Sequence, residues 1–342
     1  DDHIVDGALW LVRKVSSCRW EDSATCRIGA RMGRPEKSGV REMKPMVHSL
    51  YPIAETGGPQ RLLGESSSKG SIRVQMGPRI CTVCGSESPH IRCHKRPDPN
   101  VARECGGRTE VRKRRGGNRR RKGEFTTVPI SSIMEVKRRS LGLDKLPSKI
   151  KAVKGLVSIG QSPEPLEKGI LRAKHGVSVF RDGTSRYDMS DVPVTHFKPI
   201  EIGTSWETLV GLGYTHDIRG NRLSSDTQML ELLPQDFIPS IRSKDHLLAT
   251  CGFVDELLIR FYGMEPFYNA STEVDLVGRL AIGLAPHTSG GVLCRIIGWT
   301  SSSAGYAHPL FHAAKRRNCD GDEDSIMMLM DGLLNFSKEI LP

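Results

Sequence analysis

The sequence predicts an α+β chain rich in β-structure, and three observations carry that expectation. Over residues 126–240, short apolar runs such as 176–180 alternate with Asp182-Gly183 and Gly220-Asn221, a pattern of strands and hairpins rather than long helices. Within 244–262, Leu247, Leu248, Val254, Leu257, Leu258 and Phe261 recur at helical spacing. Beyond them, 276–284 and 292–299 are apolar runs that read as buried strands.

The 342 residues are enough for two or more domains, and no repeat of fixed period is present. Composition divides the chain into five segments. Residues 1–75 mix short apolar runs with glycine and proline and contain Arg31-Met32-Gly33-Arg34-Pro35-Glu36-Lys37; residues 76–110 hold a cysteine cluster. A basic linker spans 111–125, a β-rich region 126–245, and a helix, strands, an acidic loop and a following helix occupy 246–342. The chain opens on Asp1 and stops at Pro342 just past a helical pattern, which reads as a fragment.

Net charge is +11 with a pI near 9.3, so an acidic partner is expected. The excess is concentrated: residues 108–122 carry nine cations against one acid. A solvated linker and a nucleic-acid-binding arm both fit that run, and they are compatible, because a basic arm gains affinity by releasing counterions from phosphates. No window reaches eighteen consecutive apolar residues and the first thirty residues lack an apolar signal core, so a soluble, intracellular protein is expected. The nine cysteines then read as thiols rather than disulfides.

Cys81-x₂-Cys84 followed by Gly85 has the form of a zinc knuckle, the glycine permitting a tight turn around the metal. Cys93 and Cys105 can complete a tetrahedral site; His90 and His94 are rivals for the fourth position. Four protein ligands leave no open coordination site, which makes the expected Zn²⁺ structural. A redox CxxC would call for a surrounding βαβ pattern, and none is evident. Cys18 and Cys26 flank Arg19-Trp20-Glu21-Asp22 as a loop pair or as free thiols; Cys251 and Cys294 read as free thiols, and Cys319 as a small packed residue.

The densest chemistry lies in Asn318-Cys319-Asp320-Gly321-Asp322-Glu323-Asp324, directly after Lys315-Arg316-Arg317. Two carboxylates separated by one glycine can aim at one point, which suits a hard cation such as Mg²⁺ that keeps positions free for substrate phosphates. A helix start also fits. Asp324 or Ser325 would be its cap, and Ile326, Met327, Leu329, Met330, Leu333, Leu334 and Phe336 would form its buried stripe. An EF-hand loop does not fit, since its glycine stands at the sixth position. His308 and His312 would share a face of a helix in which Pro309 fits only the first turn. With His287 and His196 they read as buried, hydrogen-bonding histidines.

Residues 283–324 resemble the catalytic region of the large subunit of the archaeal D-family DNA polymerase. Collinear with that family are Arg31 to Lys37, Lys44-Pro45, 153–158, Glu164 to Leu171, Val179 to Thr184, Asp191 to Phe197, Glu231-Leu232 and Gln235-Asp236. The resemblance implies two double-psi β-barrels as a two-barrel catalytic core with an inserted zinc-binding module. Its implied activity is template-dependent addition of deoxynucleotides to a primer 3′ end by a two-metal mechanism with Mg²⁺, in DNA replication. Asp320 and Asp322 would be the metal ligands, with Asn318 as a neutral ligand. Arg31, Arg34, Lys37, Lys168, Lys315, Arg316 and Arg317 would meet nucleic acid or nucleotide, and Lys174 is a candidate on the same footing as Lys168. The 93-to-105 gap is longer than the family's short CxxC pairing, which marks an insertion. Implied partners are primer-template DNA, dNTP, a small exonuclease subunit and a sliding clamp, in the nucleoid-associated cytoplasm of an archaeal cell. Two other classes fit parts of the chain: a non-catalytic DNA-binding or assembly fragment, and an RNA-polymerase-like nucleotidyltransferase.

Overall fold

The computed structural model describes residues 12–16, 36–77, 79–88, 93, 105–111, 124–156, 162–286, 288, 290–317 and 321–337. The chain divides into two units, Asp1–Gly33 and Arg34–Pro342. In the first, residues 12–15 form one helical turn.

In the second unit seven strands form one sheet. They are β1 (Ser38–Arg41), β2 (Arg186–Pro193), β3 (Asp236–Ile238), β4 (Leu280–Leu284), β5 (Val292–Ile296), β6 (Ala304–Ala307) and β7 (Glu323–Met328). Their order is β1-β2-β6-β3-β5-β4-β7, and β7 pairs back onto β2. Six strands therefore close into a barrel, with β1 added to the edge of β2. Contacts are antiparallel except β2–β6 and β3–β5, which are parallel. Closure removes the free edges that short strands would otherwise leave unpaired.

The barrel is filled by side chains. Met189, Phe237, Cys294 and Ile326 surround a residual space of about 10 Å³, at the lower limit for one water. Two strand glycines make room for the rings inside. A Cβ on Gly283 would stand 2.6 Å from Cζ of Phe311, and one on Gly305 2.5 Å from Cζ of Phe237.

Helices cover the barrel: α1 (Leu166–His175), α2 (Lys244–Leu257), α3 (Pro309–Ala314) and α4 (Leu329–Asn335). The expected stripe of α2 is present, with Leu247, Cys251, Val254 and Leu257 buried, and a π turn over Leu258–Tyr262 extends it to Gly263. Outside the barrel, Ser49–Pro52 pairs with Ala152–Val153, Ile72–Met76 with Glu124–Val128, and Arg79–Cys81 with Thr109–Val111. Among the described residues no helix is long and apolar enough to cross a membrane.

The sequence pattern and the structure differ after the acidic loop. Residues expected to open a helix form β7 instead, because they pair with β2 on one side and β4 on the other. Ile326, Met327 and Met328 are buried in succession, as a strand covered on both faces requires. Helix begins only at Leu329, and Leu333 and Phe336 are 67% and 37% exposed, so no single buried stripe runs through to Phe336. Asp324 is consequently a strand residue, not a cap.

Candidate functional site

The chain reaches the acidic segment through α3. Pro309 takes the first helical position, and His308 caps the helix by accepting a bond from Leu310 N at Nδ1, 3.1 Å away. The helix ends after Ala314, and Arg316 at φ 59° turns the chain out of it. Asn318, Cys319 and Asp320 lie outside the described residues; the chain is described again from Gly321, at φ 88°, and enters β7 at Glu323.

Lys315 turns into the barrel. Its ammonium makes ion pairs with Asp191 on β2 and Asp324 on β7, and lies 4.5 Å from the centre of the Phe311 ring. All three charged side chains are at most 4% exposed. Arg317 joins them: its Nε donates to Asp324 Oδ1 at 2.7 Å, and its remaining nitrogens reach Glu323 O at 2.7 Å and Asp322 Oδ2 at 3.4 Å. The backbone N–H of Asp191 donates to Asp322 O at 2.9 Å. His312 is buried with Nδ1 3.5 Å from Asp191 Oδ2, and neither ring nitrogen makes a hydrogen bond.

Electrostatics follow from that burial. Desolvation, with Lys315 adding to it, pushes the His312 pKa down to about 4, so its imidazole is neutral. Desolvation also raises Asp191 well above the carboxylate range. For Asp324, desolvation is outweighed by its bonds to Asp191, Lys315 and Arg317, which hold it below its ordinary value. The pair thus keeps its negative charge on Asp324. Asp191, His312 and Asp324 bring their ligand atoms within 4.8 Å of one another, as a metal site would, but the Lys315 ammonium is the cation among them.

A cleft of about 470 Å³ opens beside this network, lined by Lys37, Asp188, Arg242, Ser303 and Glu323 among others. Lys37 is anchored through its backbone, which donates to Ser190 Oγ at 3.0 Å and accepts from Ser190 N at 2.9 Å. Its ammonium lies 3.0 Å from Glu323 Oε1, with the lysine side chain 72% exposed. Arg242 is exposed and has no ion-pair partner among the described residues.

The four cysteines come together. Sγ of Cys81 and Cys105 are 3.7 Å apart, those of Cys84 and Cys93 3.6 Å, and all four atoms fall within 4.8 Å of one another. A tetrahedral zinc with sulfur at about 2.3 Å has edges of about 3.8 Å. Gly85 and Gly106 adopt φ of 68° and 64°, and their N–H groups donate to Cys81 O, closing a tight turn, and to Cys93 O, holding two of the cysteine segments together. Hydrogen bonding from Ser86 lowers the Cys84 thiol to about 6, toward thiolate. His90 and His94 lie outside the described residues, and Cys105 occupies the fourth corner.

Other predicted contacts resolve differently. Arg31 and Arg34 lie outside the described residues, as do His287 and Cys319. Lys315 and Lys168 are not available to nucleic acid: the first is buried between two aspartates, the second is buried and donates to Leu334 O at 2.9 Å. Burial lowers Lys168 to about 8. Lys174 pairs with Glu256 at 2.6 Å, and Arg316 is exposed. His196 is exposed beside Thr195, not buried. Asp191 is the residue that sequence reasoning passed over. The available signal was an acid placed two positions from the buried Met189, and so on the inward face of a strand.

The chain matches the family model described as DNA polymerase II large subunit DP2, catalytic domain, over residues 143–342, and that for the DP2 central domain over residues 2–114. It is 50% identical over 338 residues to the DNA polymerase II large subunit of Methanocella arvoryzae, covering 94% of this chain and 29% of that relative. Against the DNA polymerase II large subunit of Archaeoglobus fulgidus it is 45% identical over 358 residues, covering 98% of this chain and 30% of the relative. The chain thus spans under a third of the length of the curated relatives it matches.

Proposed function

The chain belongs to the DNA polymerase II large-subunit family, and from that premise we propose that it carries the nucleotide-adding centre of a DNA-directed DNA polymerase. One observation supports this above the rest: Asp322 directly precedes Glu323, which lines the cleft, and its backbone is held by Asp191 and its carboxylate reached by Arg317. The donor types suit Mg²⁺: Asp191 and Asp324 hold an ammonium, and Asp320 and Asp322 would supply the carboxylate oxygens a hard cation takes. Asn318 adds a neutral oxygen. Two bound ions would supply activation of the primer hydroxyl and charge neutralisation at the leaving pyrophosphate.

This chain's own residues then set the geometry. Lys37 and Arg242 line the cleft and offer cations to the triphosphate of a dNTP, and Arg316, next to Lys315 in sequence, is exposed. The basic run of residues 108–122 contributes attraction for primer-template DNA that is independent of base sequence. The closed barrel with two parallel contacts supports the double-psi assignment, and the Cys81, Cys84, Cys93 and Cys105 cluster fits a structural Zn²⁺. A small exonuclease subunit and a sliding clamp complete the proposed replication assembly.

The test is Asp320→Ala and Asp322→Ala in the full-length large subunit assembled with its small subunit. With Mg²⁺ each variant is expected to lose primer extension by about 10³-fold or more, with primer-template affinity unchanged within about twofold. Normal extension by both variants overturns the assignment. Ribonucleotides supplied in parallel test the choice of sugar. For the cysteine cluster, Cys84→Ser is expected to lose about one equivalent of zinc by elemental analysis.

A further inference from the structure

We propose that Lys315 is a positioning residue: its ammonium fills the cation site made by Asp191, His312 and Asp324, and so clamps both ends of the segment that carries Asp320 and Asp322. The inference deepens the polymerase reading and rests on it for its kinetic consequence, though its structural part stands alone.

The argument is one of connectivity. Lys315 and Arg317 precede the acidic segment and Asp324 follows it, so the ion pairs Lys315–Asp324 and Arg317–Asp324 tie its entry to its exit. The same ammonium pairs with Asp191, whose backbone N–H holds Asp322 O at 2.9 Å. One buried cation thereby fixes the segment to β2 and β7 at once. Space is closely matched as well: a Cβ on Gly283 would lie 3.4 Å from Cδ of Lys315. Lys315 is 1% exposed on its side chain, so it cannot reach a phosphate without leaving the barrel.

Asp191, His312 and Asp324 have the donor types and the spacing of a divalent-metal cage, with both nitrogens of His312 free of hydrogen bonds. A tethered ammonium in that cage supplies the positive charge that a bound ion would otherwise bring. A surface lysine that only attracts phosphate would show neither the burial nor the two aspartates.

The experiment compares wild type, Lys315→Met and Lys315→Met/Asp324→Asn in the full-length large subunit with its small subunit. Primer extension, primer-template affinity, thermal midpoint and Mn²⁺ affinity by electron paramagnetic resonance are measured for each. Lys315→Met is expected to lose about 10–100-fold in kcat and in Mn²⁺ affinity, with nucleotide KM and DNA affinity within about twofold. The double variant removes the uncompensated buried charge, so its thermal midpoint recovers while kcat does not. Recovery of both in the double variant overturns the proposal in favour of a purely structural ion pair, and so does a Lys315→Met variant with wild-type kcat and Mn²⁺ affinity. The Mn²⁺ measurement needs no turnover. If wild type fails to extend primers but Lys315→Met still weakens Mn²⁺ binding, the polymerase reading falls and the clamp stands.

Discussion

Arg172 and Lys315 are both cations buried among carboxylates, yet their surroundings differ in where they lead. Arg172 is fully buried and donates to both oxygens of Glu164, to His48 O at 3.1 Å and to Gly183 O at 2.9 Å. Glu164 in turn accepts from Leu50 N at 2.7 Å. Every path from that pair ends in backbone, tying α1 to the segments around residues 48–50 and 183. From Lys315 the path continues through Asp324 and Arg317 to Asp322, next in sequence to Glu323, which lines a cleft. The same chemistry is thus used once to join segments and once to hold a reactive group. A buried pair is weak evidence for net stability on its own, but removing one partner is costly in either place.

The largest expected effect tests the structural half of that contrast. Arg172→Met leaves the buried Glu164 carboxylate without its cation and is expected to lower stability by about 3–5 kcal/mol in urea unfolding. Extension measured where the variant remains folded should stay near wild type. A variant that keeps its unfolding midpoint yet loses extension would place Arg172 beside Lys315 in function and erase the distinction.

Acid acts on a buried histidine in each network, by a smaller amount. Desolvation, reinforced by Lys151 and Arg172, lowers His48 to about 4, and its Nδ1 accepts from Lys151 N at 3.1 Å. A folded pKa below the ordinary histidine value means that the unfolded chain binds the proton more readily. Stability from the neutral ring is therefore complete above about pH 6.5 and is lost as pH falls through about 4. His312 has the same sign, again through desolvation first and Lys315 second. His48→Asn keeps an acceptor at the Nδ1 position without a titrating ring. It is expected to flatten stability against pH between 6.5 and 4 by up to about 1.4 kcal/mol per pH unit. His312→Asn should flatten the same window. An unchanged slope in either variant shows that the corresponding ring takes up its proton equally well in the folded and unfolded chain.

Local chemistry made much of this legible in advance. The Cys81–Cys84 half of the cluster was readable because knuckle spacing and a following glycine are local requirements of metal geometry; the long gap from Cys93 to Cys105 left the fourth position open to His90 and His94. Helix α2 was readable because its stripe is periodic over fourteen residues. β7 was not, since Ile326 to Met330 satisfy a helical period as well as a strand, and only pairing with β2 and β4 decides between them. The Lys315 site was illegible for a related reason. Asp191 lies 124 residues earlier in the chain, and no property of Lys315-Arg316-Arg317 shows that the first cation turns inward while the second is exposed. Composition records charge; the barrel decides which charges meet water.

The smallest expected stability effect is at the cleft rim, where the contrast with the buried networks is sharpest. Lys37 is 72% exposed on its side chain and Glu323 38%, so their 3.0 Å ion pair is screened by solvent and offset by side-chain entropy. Lys37→Ala is expected to change the free energy of unfolding by less than about 1 kcal/mol. Loss of one charged contact to a triphosphate is worth about 1.5 kcal/mol or more, so the nucleotide KM should rise about tenfold or more with little change in kcat. Raised salt should narrow the gap between variant and wild type, because the contact is exposed. An unfolding loss comparable to that of Arg172→Met would mean that the rim is part of the fold's internal scaffold. An unchanged KM would mean that Lys37 serves Glu323 alone, leaving Arg242 to carry the cleft's positive charge.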